Sequence, residues 1–148
     1  MLGAKVSQHR ALVQQTGYAY RLPSGLLKEA FEQDKAAQQL LLRYLHSQLL
    51  QIAQSAACYR HHYLEQQVCR WLLLSLDRVS DSRLYLTQEF IASLLGVRRE
   101  GVTLVAGKLQ QLKVIEYKRG HICVLNRPSL EQISCECYHI VTAGVAKI

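Results

Sequence analysis

Residues 86–112 read LTQEFIASLLGVRREGVTLVAGKLQQL, two amphipathic runs that meet at Gly96. In the first, Phe90, Ile91, Leu94 and Leu95 fall at helical spacing behind Thr87, a residue type that caps helix N-termini through its side-chain oxygen. In the second, Val102, Val105, Leu109 and Leu112 form the apolar face. Gly96 suits the turn between them, because a left-handed backbone costs glycine little. Arg98 opens the second run, and Arg98, Arg99, Glu100 and Thr103 fall off its apolar face. The stretch therefore predicts a helical pair whose second helix is packed on one side and shows polar tips on the other.

Beyond Lys113 the period of the sequence changes to two. VIEYKRGHICVL (114–125) places Ile115, Tyr117, Ile122 and Val124 in two short strands around Arg119, Gly120 and His121, a hairpin signal. Upstream, LEQQVCRWLLLSLDRV (64–79) reads as a helix with Val68, Trp71, Leu72, Leu74 and Leu76 in the core, and LYL (84–86) as a short strand. Pro128 starts a last helix or turn. Helix, short strand, helix, tight turn, helix, hairpin is the order of a winged helix-turn-helix.

Ser24 can cap a helix beginning near Gly25, and from Leu26 to about Ala57 the chain is rich in Leu, Ala, Gln and Glu without Gly or Pro. Within it Leu42, Leu45, Leu49, Ile52 and Ala56 alternate steps of three and four, the seam of a short helix–helix contact over two heptads. Leu40, Leu41, Tyr44 and Leu50 lie off that seam, leaving more apolar surface than a small preceding segment covers; a homodimer would supply the rest. Before Pro23, RALVQQTGYAYRL (10–22) reads as one or two short strands around Thr16-Gly17. The expected fold is mainly α with a small β component: a strand piece over 1–24, a dimerisation helix over 25–60 and a winged helix-turn-helix over 61–148.

The chain has 148 residues, 49% hydrophobic and 20% charged, with a formal net charge of +7. This is globular usage, and the positive balance favours an anionic partner such as nucleic acid or an acidic membrane surface. There is no run of 18 apolar residues and no secretory h-region, so a cytoplasmic protein without a membrane partner is expected. Five cysteines form no even disulfide framework. Cys135-Glu136-Cys137, with Cys123 or His139, lacks the matched second pair of a zinc site. Cys58 with His61 and His62 falls at a helix junction where adjacent histidines point different ways. No metal and no cofactor are expected from either. With no nucleophile elbow, phosphate-binding glycine loop or spaced carboxylate pair, an enzyme is the least favoured class.

A helix that enters a major groove presents polar groups near its N-terminus while its other face is buried. Arg98, Arg99, Glu100 and Thr103 are candidates for base contact: arginine can hold guanine bidentately and glutamate can accept from cytosine. Glu100 also suits the positive end of its helix. Residues 98–119 hold six Lys or Arg against Glu100 and Glu116. Thr87, Lys108, Lys118, Arg119 and His121 are the candidates for phosphate contact.

The string LTQEFIASLLGVRREGVT, followed by LQQLKVIEYKRGHICVLNR, resembles the DNA-binding domain of Crp/Fnr-type bacterial transcription regulators. Residues 64–79 and the long helix before them resemble the same family's linker and dimerisation helix. The resemblance implies a homodimer on a palindromic operator of double-stranded DNA, with RNA polymerase as a further partner, and base contacts at Arg99, Glu100 and Thr103. Two departures stand out. Leu104 occupies the position of a second base-reading arginine in well-known members. The family's cyclic-nucleotide-type β-roll, with its Gly-Glu and Arg-Ser cassette, is largely missing, so no cyclic-nucleotide binding is expected. The competing expectation is a protein-interaction module that dimerises with a full-length relative and modulates its DNA binding.

Overall fold

The computed structural model describes residues 11–14, 16–79 and 81–145. Among these residues seven helices and three strands follow in the order α1 (Ser24–Gln33), α2 (Lys35–His61), α3 (Leu64–Leu76), β1 (Arg83–Tyr85), α4 (Gln88–Leu95), α5 (Arg99–Gln111), β2 (Ile115–Lys118), β3 (His121–Val124), α6 (Arg127–Ile133) and α7 (Cys137–Val145). The mainly α fold with a small β part is as expected. Within it, α4 and α5 are the helical pair and β2–β3 the hairpin.

Helix α3 is the centre. Eight of its residues are buried, Leu72 and Leu73 almost completely, and it packs against α4, α5, α6, α7 and β1. Ile91 and Leu95 of α4, Val102 and Leu109 of α5, Leu130 of α6 and Val141 of α7 complete one continuous core with it. Burying a leucine or isoleucine of this kind contributes roughly 1.5–3 kcal/mol. α5 approaches α3 closely at Gly101, where an added Cβ would lie 2.8 Å from Leu64 Cδ2. The glycine that weakens the helix as a helix lets it seat.

The turn between α4 and α5 forms as its sequence predicts. Thr87 Oγ1 accepts from the Phe90 N–H at 3.1 Å, and Gly96 sits at φ 66°, ψ 33°, its N–H bonded to the Ala92 carbonyl. In the hairpin, Lys118 pairs with His121, and both intervening residues have positive φ (Arg119 49°, Gly120 82°). That is the geometry of a two-residue type I′ turn. β3 lies between β1 and β2, all antiparallel, and Leu84 and Ile122 pair across it with their side chains in the core.

Four expectations are corrected. The long helix is two helices: Asp34 accepts from the Ala36 N–H at 2.8 Å and so caps α2, while its own N–H closes α1 on the Ala30 carbonyl. Ser24 is the first helical residue and not a cap, with Pro23 before it. No strand forms in 11–14 or 16–23, where Tyr18 and Tyr20 are fully exposed; Arg10 and Gln15, also in the expected strands, lie outside the described residues. Leu112 caps α5 at its C-terminal end and is exposed, while Ala106 takes the place expected of it in the buried face.

Lys113, just past α5, also has a positive φ (55°), and the Val114 N–H reaches back to the Leu109 carbonyl at 3.0 Å. This closing turn favours glycine. Gly96→Ala is expected to destabilise the protein by about 1 kcal/mol and Lys113→Gly to stabilise it by about 0.5 kcal/mol. Urea midpoints at unchanged slope measure both, and equal effects of one sign would refute the assignment of strain.

Candidate nucleic-acid interface

Helix α5 separates its side chains cleanly. Val102, Ala106 and Leu109 are buried and Val105 partly so, whereas Arg98, Arg99, Glu100, Thr103 and Leu104 are exposed. The exposed group falls within the first two turns, at the end of the helix left free by the α4–α5 turn. Thr103 Oγ1 donates to Gln88 Oε1 at 2.6 Å and also meets the Arg99 carbonyl at 3.1 Å. Gln88 is the first residue of α4. It ties the two helices together on the exposed side, a role that required knowing which face of α4 turns toward α5.

The N-terminus of α4, the start of α5 and the hairpin tip surround one shallow concavity, lined by Thr87, Gln88, Glu89, Arg99, Tyr117, Arg119 and Gly120. Tyr117 fixes its floor: the hydroxyl accepts from the Gln88 N–H at 3.1 Å and lies 3.4 Å from the Leu86 carbonyl. The Leu86 N–H donates to the Gly120 carbonyl at 2.8 Å, tying the hairpin tip beside Thr87. Thr87 Oγ1 is engaged as an acceptor, so toward an incoming anion its hydroxyl can still donate. Thr87, Arg99 and Arg119, 32 residues apart at the extremes of the sequence, are thus brought together.

The other phosphate candidates part company. Lys118 and His121 lie along the hairpin with Glu116 and Cys123 in a neighbouring concavity that shares only Arg119 with the first. His121 packs edge-on against Tyr85, ring centroids 4.8 Å apart. Lys108 points the other way, its Nζ 2.7 Å from Glu65 Oε2 on α3. It is held as an interhelical ion pair, because its position on α5 turns toward α3 and away from Arg99.

Ion pairing separates the remaining cations. Lys108 pairs with Glu65, Arg83 with Asp81, and Arg127 with Asp77 at 2.6 Å and Glu131 at 2.8 Å. Arg98, Arg99, Lys118 and Arg119 have no such partner among the described residues. Unpaired positive charge is thus present at the start of α5 and at the hairpin, where an anionic ligand would meet it.

A second cluster was not foreseen. Cys58 at the end of α2, His62 just after it, and Cys135 and Cys137 at the α6–α7 junction bring their donor atoms within 4.8 Å of one another. Sequence reasoning weighed the two pairs separately because 77 residues part Cys58 from Cys135. His61, Cys123 and His139 take no part. Burial pushes the Cys58 thiol up to about 12, helped by its hydrogen bond to Cys135, and burial raises Cys135 as well.

The exposed seam of α2 is the remaining candidate surface. Leu42, Leu49 and Ile52 are 51%, 67% and 65% exposed, Ala56 is exposed and Leu45 half-buried. The opposite side of α2 packs on α7, where a Cβ on Gly144 would lie 2.2 Å from Leu50 Cδ2. No helix among the described residues is long and apolar enough to cross a membrane.

Comparison with known proteins agrees with this geometry. The family of Crp-like helix-turn-helix domains matches residues 66–133, from α3 to the end of α6. A Crp/Fnr-family protein from Eubacterium rectale superposes with a TM-score of 0.57 at 21% identity, over 75% of this chain and 51% of its own. FixK2 from Bradyrhizobium japonicum gives 0.60 at 18% identity, over 75% of this chain and 58% of its own. The chain thus spans little more than half the length of these structures. No match was found among curated protein sequences. Over residues 66–133 the chain is thus similar to the Crp-like helix-turn-helix domains.

Proposed function

We propose that the chain is a sequence-specific DNA-binding transcription regulator that acts as a homodimer on a palindromic operator and binds no cyclic nucleotide. The observation that carries this reading is the exposed, unpaired start of α5 beside the hairpin tip. α5 enters the major groove with Arg99 and Glu100 toward base edges, while Thr87, Arg119 and Lys118 meet phosphates on either side. Arg98 and Thr103 flank the reading pair, and His121 approaches the backbone next to Lys118. Lys108 stays on Glu65 and is omitted from the contacts.

Leu104 is 76% exposed and has no packing role. An apolar side chain so placed suits a thymine methyl group, so the operator carries thymine where a second arginine would demand guanine. The α2 seam supplies the second copy. Its exposed leucines and isoleucine pair with their own image, and two α5 helices then address half-sites about one helical turn, ~34 Å, apart. RNA polymerase is a further partner on this reading, and a cytoplasmic location follows from it.

Arg99→Ala with Glu100→Ala is expected to weaken binding to a selected operator about tenfold to a hundredfold while leaving thermal stability unchanged, since both side chains are exposed. Gel-shift titration checks it. Unaltered affinity would favour the competing reading, a module that dimerises with a full-length relative, which the exposed seam alone also supports. Leu49→Glu with Ile52→Glu is expected to convert dimer to monomer in sedimentation velocity without loss of helical signal. A double variant that remains dimeric excludes this seam.

A further inference from the structure

We propose that Cys58, His62, Cys135 and Cys137 form a mononuclear zinc site that staples the C-terminal end of α2 to the α6–α7 junction. The four donors come from two parts of the chain and meet in one place. Cys58 Sγ is 3.5 Å from Cys135 Sγ, and Cys137 Sγ is 3.4 Å from His62 Nδ1. Zinc held tetrahedrally by sulfur at ~2.3 Å and nitrogen at ~2.0 Å sets its donors roughly 3.5–3.8 Å apart. The cluster has that spacing within 4.8 Å overall, and small side-chain movements complete the shell.

Other uses of these residues fit less well. An iron–sulfur cluster distributes its cysteines around several iron atoms and needs a wider ring. A Cys58–Cys135 disulfide would draw those sulfurs to about 2.05 Å and leave Cys137 and His62 facing each other without purpose. Three cysteines and one histidine are a common closed zinc set, and with Cys58, Cys135 and Cys137 all buried four protein donors leave no position for substrate. The site is structural.

The groups around the donors are arranged as a metal site requires. Glu136 Oε1 lies 3.2 Å from His62 Nε2, which places the ring proton on Nε2 and turns the Nδ1 lone pair toward the sulfurs. Gln54 Nε2 donates to Cys137 Sγ at 3.0 Å, a bond a thiolate accepts well. Buried Gln67 donates to the His62 carbonyl at 2.8 Å and fixes the backbone that presents the ring. Loading exchanges three thiol protons, released to solvent, for one divalent cation, with neutral imidazole as the fourth donor. The centre is then left with one negative charge.

Arg70 explains why that sign suits the fold. It is only 2% exposed, its Nε has no hydrogen-bond partner, and no carboxylate pairs with it among the described residues. Its Nη2 bonds Ser55 Oγ at 2.7 Å, on the α2 turn that precedes Cys58. A buried guanidinium without a counter-charge is costly. An anionic zinc–thiolate centre on the next turn supplies the missing charge.

The test uses the purified full-length chain, anaerobic and reduced, titrated with Co(II) and then Zn(II). Expected is one Co(II) per chain, with the intense visible absorption of a tetrahedral ion, a sulfur-to-cobalt charge-transfer band, and loss of both when Zn(II) is added. Glu136→Ala, a change at an exposed side chain that need not disturb folding, should weaken Co(II) binding about tenfold. Cys137→Ser should abolish the charge-transfer pattern of a three-sulfur site, and Cys123→Ser should leave it intact. An octahedral spectrum, no binding, a chain that retains an iron–sulfur chromophore, or equal loss in Cys123→Ser would overturn the proposal. None of these outcomes depends on whether the chain binds DNA.

Discussion

Helix α3 has almost no solvent-facing side, and the architecture follows from that. Val68, Cys69, Leu72, Leu73 and Leu76 are all buried, so the helix must be enveloped. The chain does this with α4 and α5, α6 and α7, and strand β1. Burial of α3 fixes where α5 lies, and Gly101 leaves room there for the Leu64 side chain. The polar start of α5 is therefore presented by packing on its far side, with the Thr103–Gln88 hydrogen bond as its tie on the exposed side.

The same packing separates two sets of cations around α5. Lys108, turned toward α3, and Arg127, at the α3–α6–α7 junction, are paired with Glu65, Asp77 and Glu131. Arg98, Arg99, Lys118 and Arg119 have no carboxylate partner among the described residues. A reading face is in this sense what remains after the core has taken its share of side chains. The Cys58–His62–Cys135–Cys137 cluster belongs to the other category, because it lies where the end of α2 meets the α6–α7 junction.

Local chemistry was legible in the sequence where a single residue decides a local geometry. Thr87 caps, Gly96 turns left-handed, Gly120 closes the hairpin, and each was readable because its neighbours matter little. The α4–α5 amphipathic pattern gave the fold for the same reason. Asp34 was missed because a helix without glycine or proline looks continuous, although Asp is a cap-forming residue and was the available signal. Lys113 departs from the rule that glycine fills a left-handed closing position, so nothing in its identity marked it. Leu112 was misplaced, and the Lys108–Glu65 pair unforeseen, because helical period says which side a residue is on but not where the neighbouring helix ends. Gln88 and the metal cluster were out of reach for a stronger reason: both depend on contacts between segments that only the tertiary fold brings together.

The central claim is that packing against α3 displays Arg99, Glu100 and Leu104 as a base-reading face, repeated by a twofold axis along α2. Selection of bound duplexes from a random DNA library tests it most directly. The account predicts enrichment of an inverted repeat with half-sites about one helical turn apart and thymine at the position facing Leu104. Enrichment of no common sequence, or of unpaired half-sites without symmetry, would contradict it.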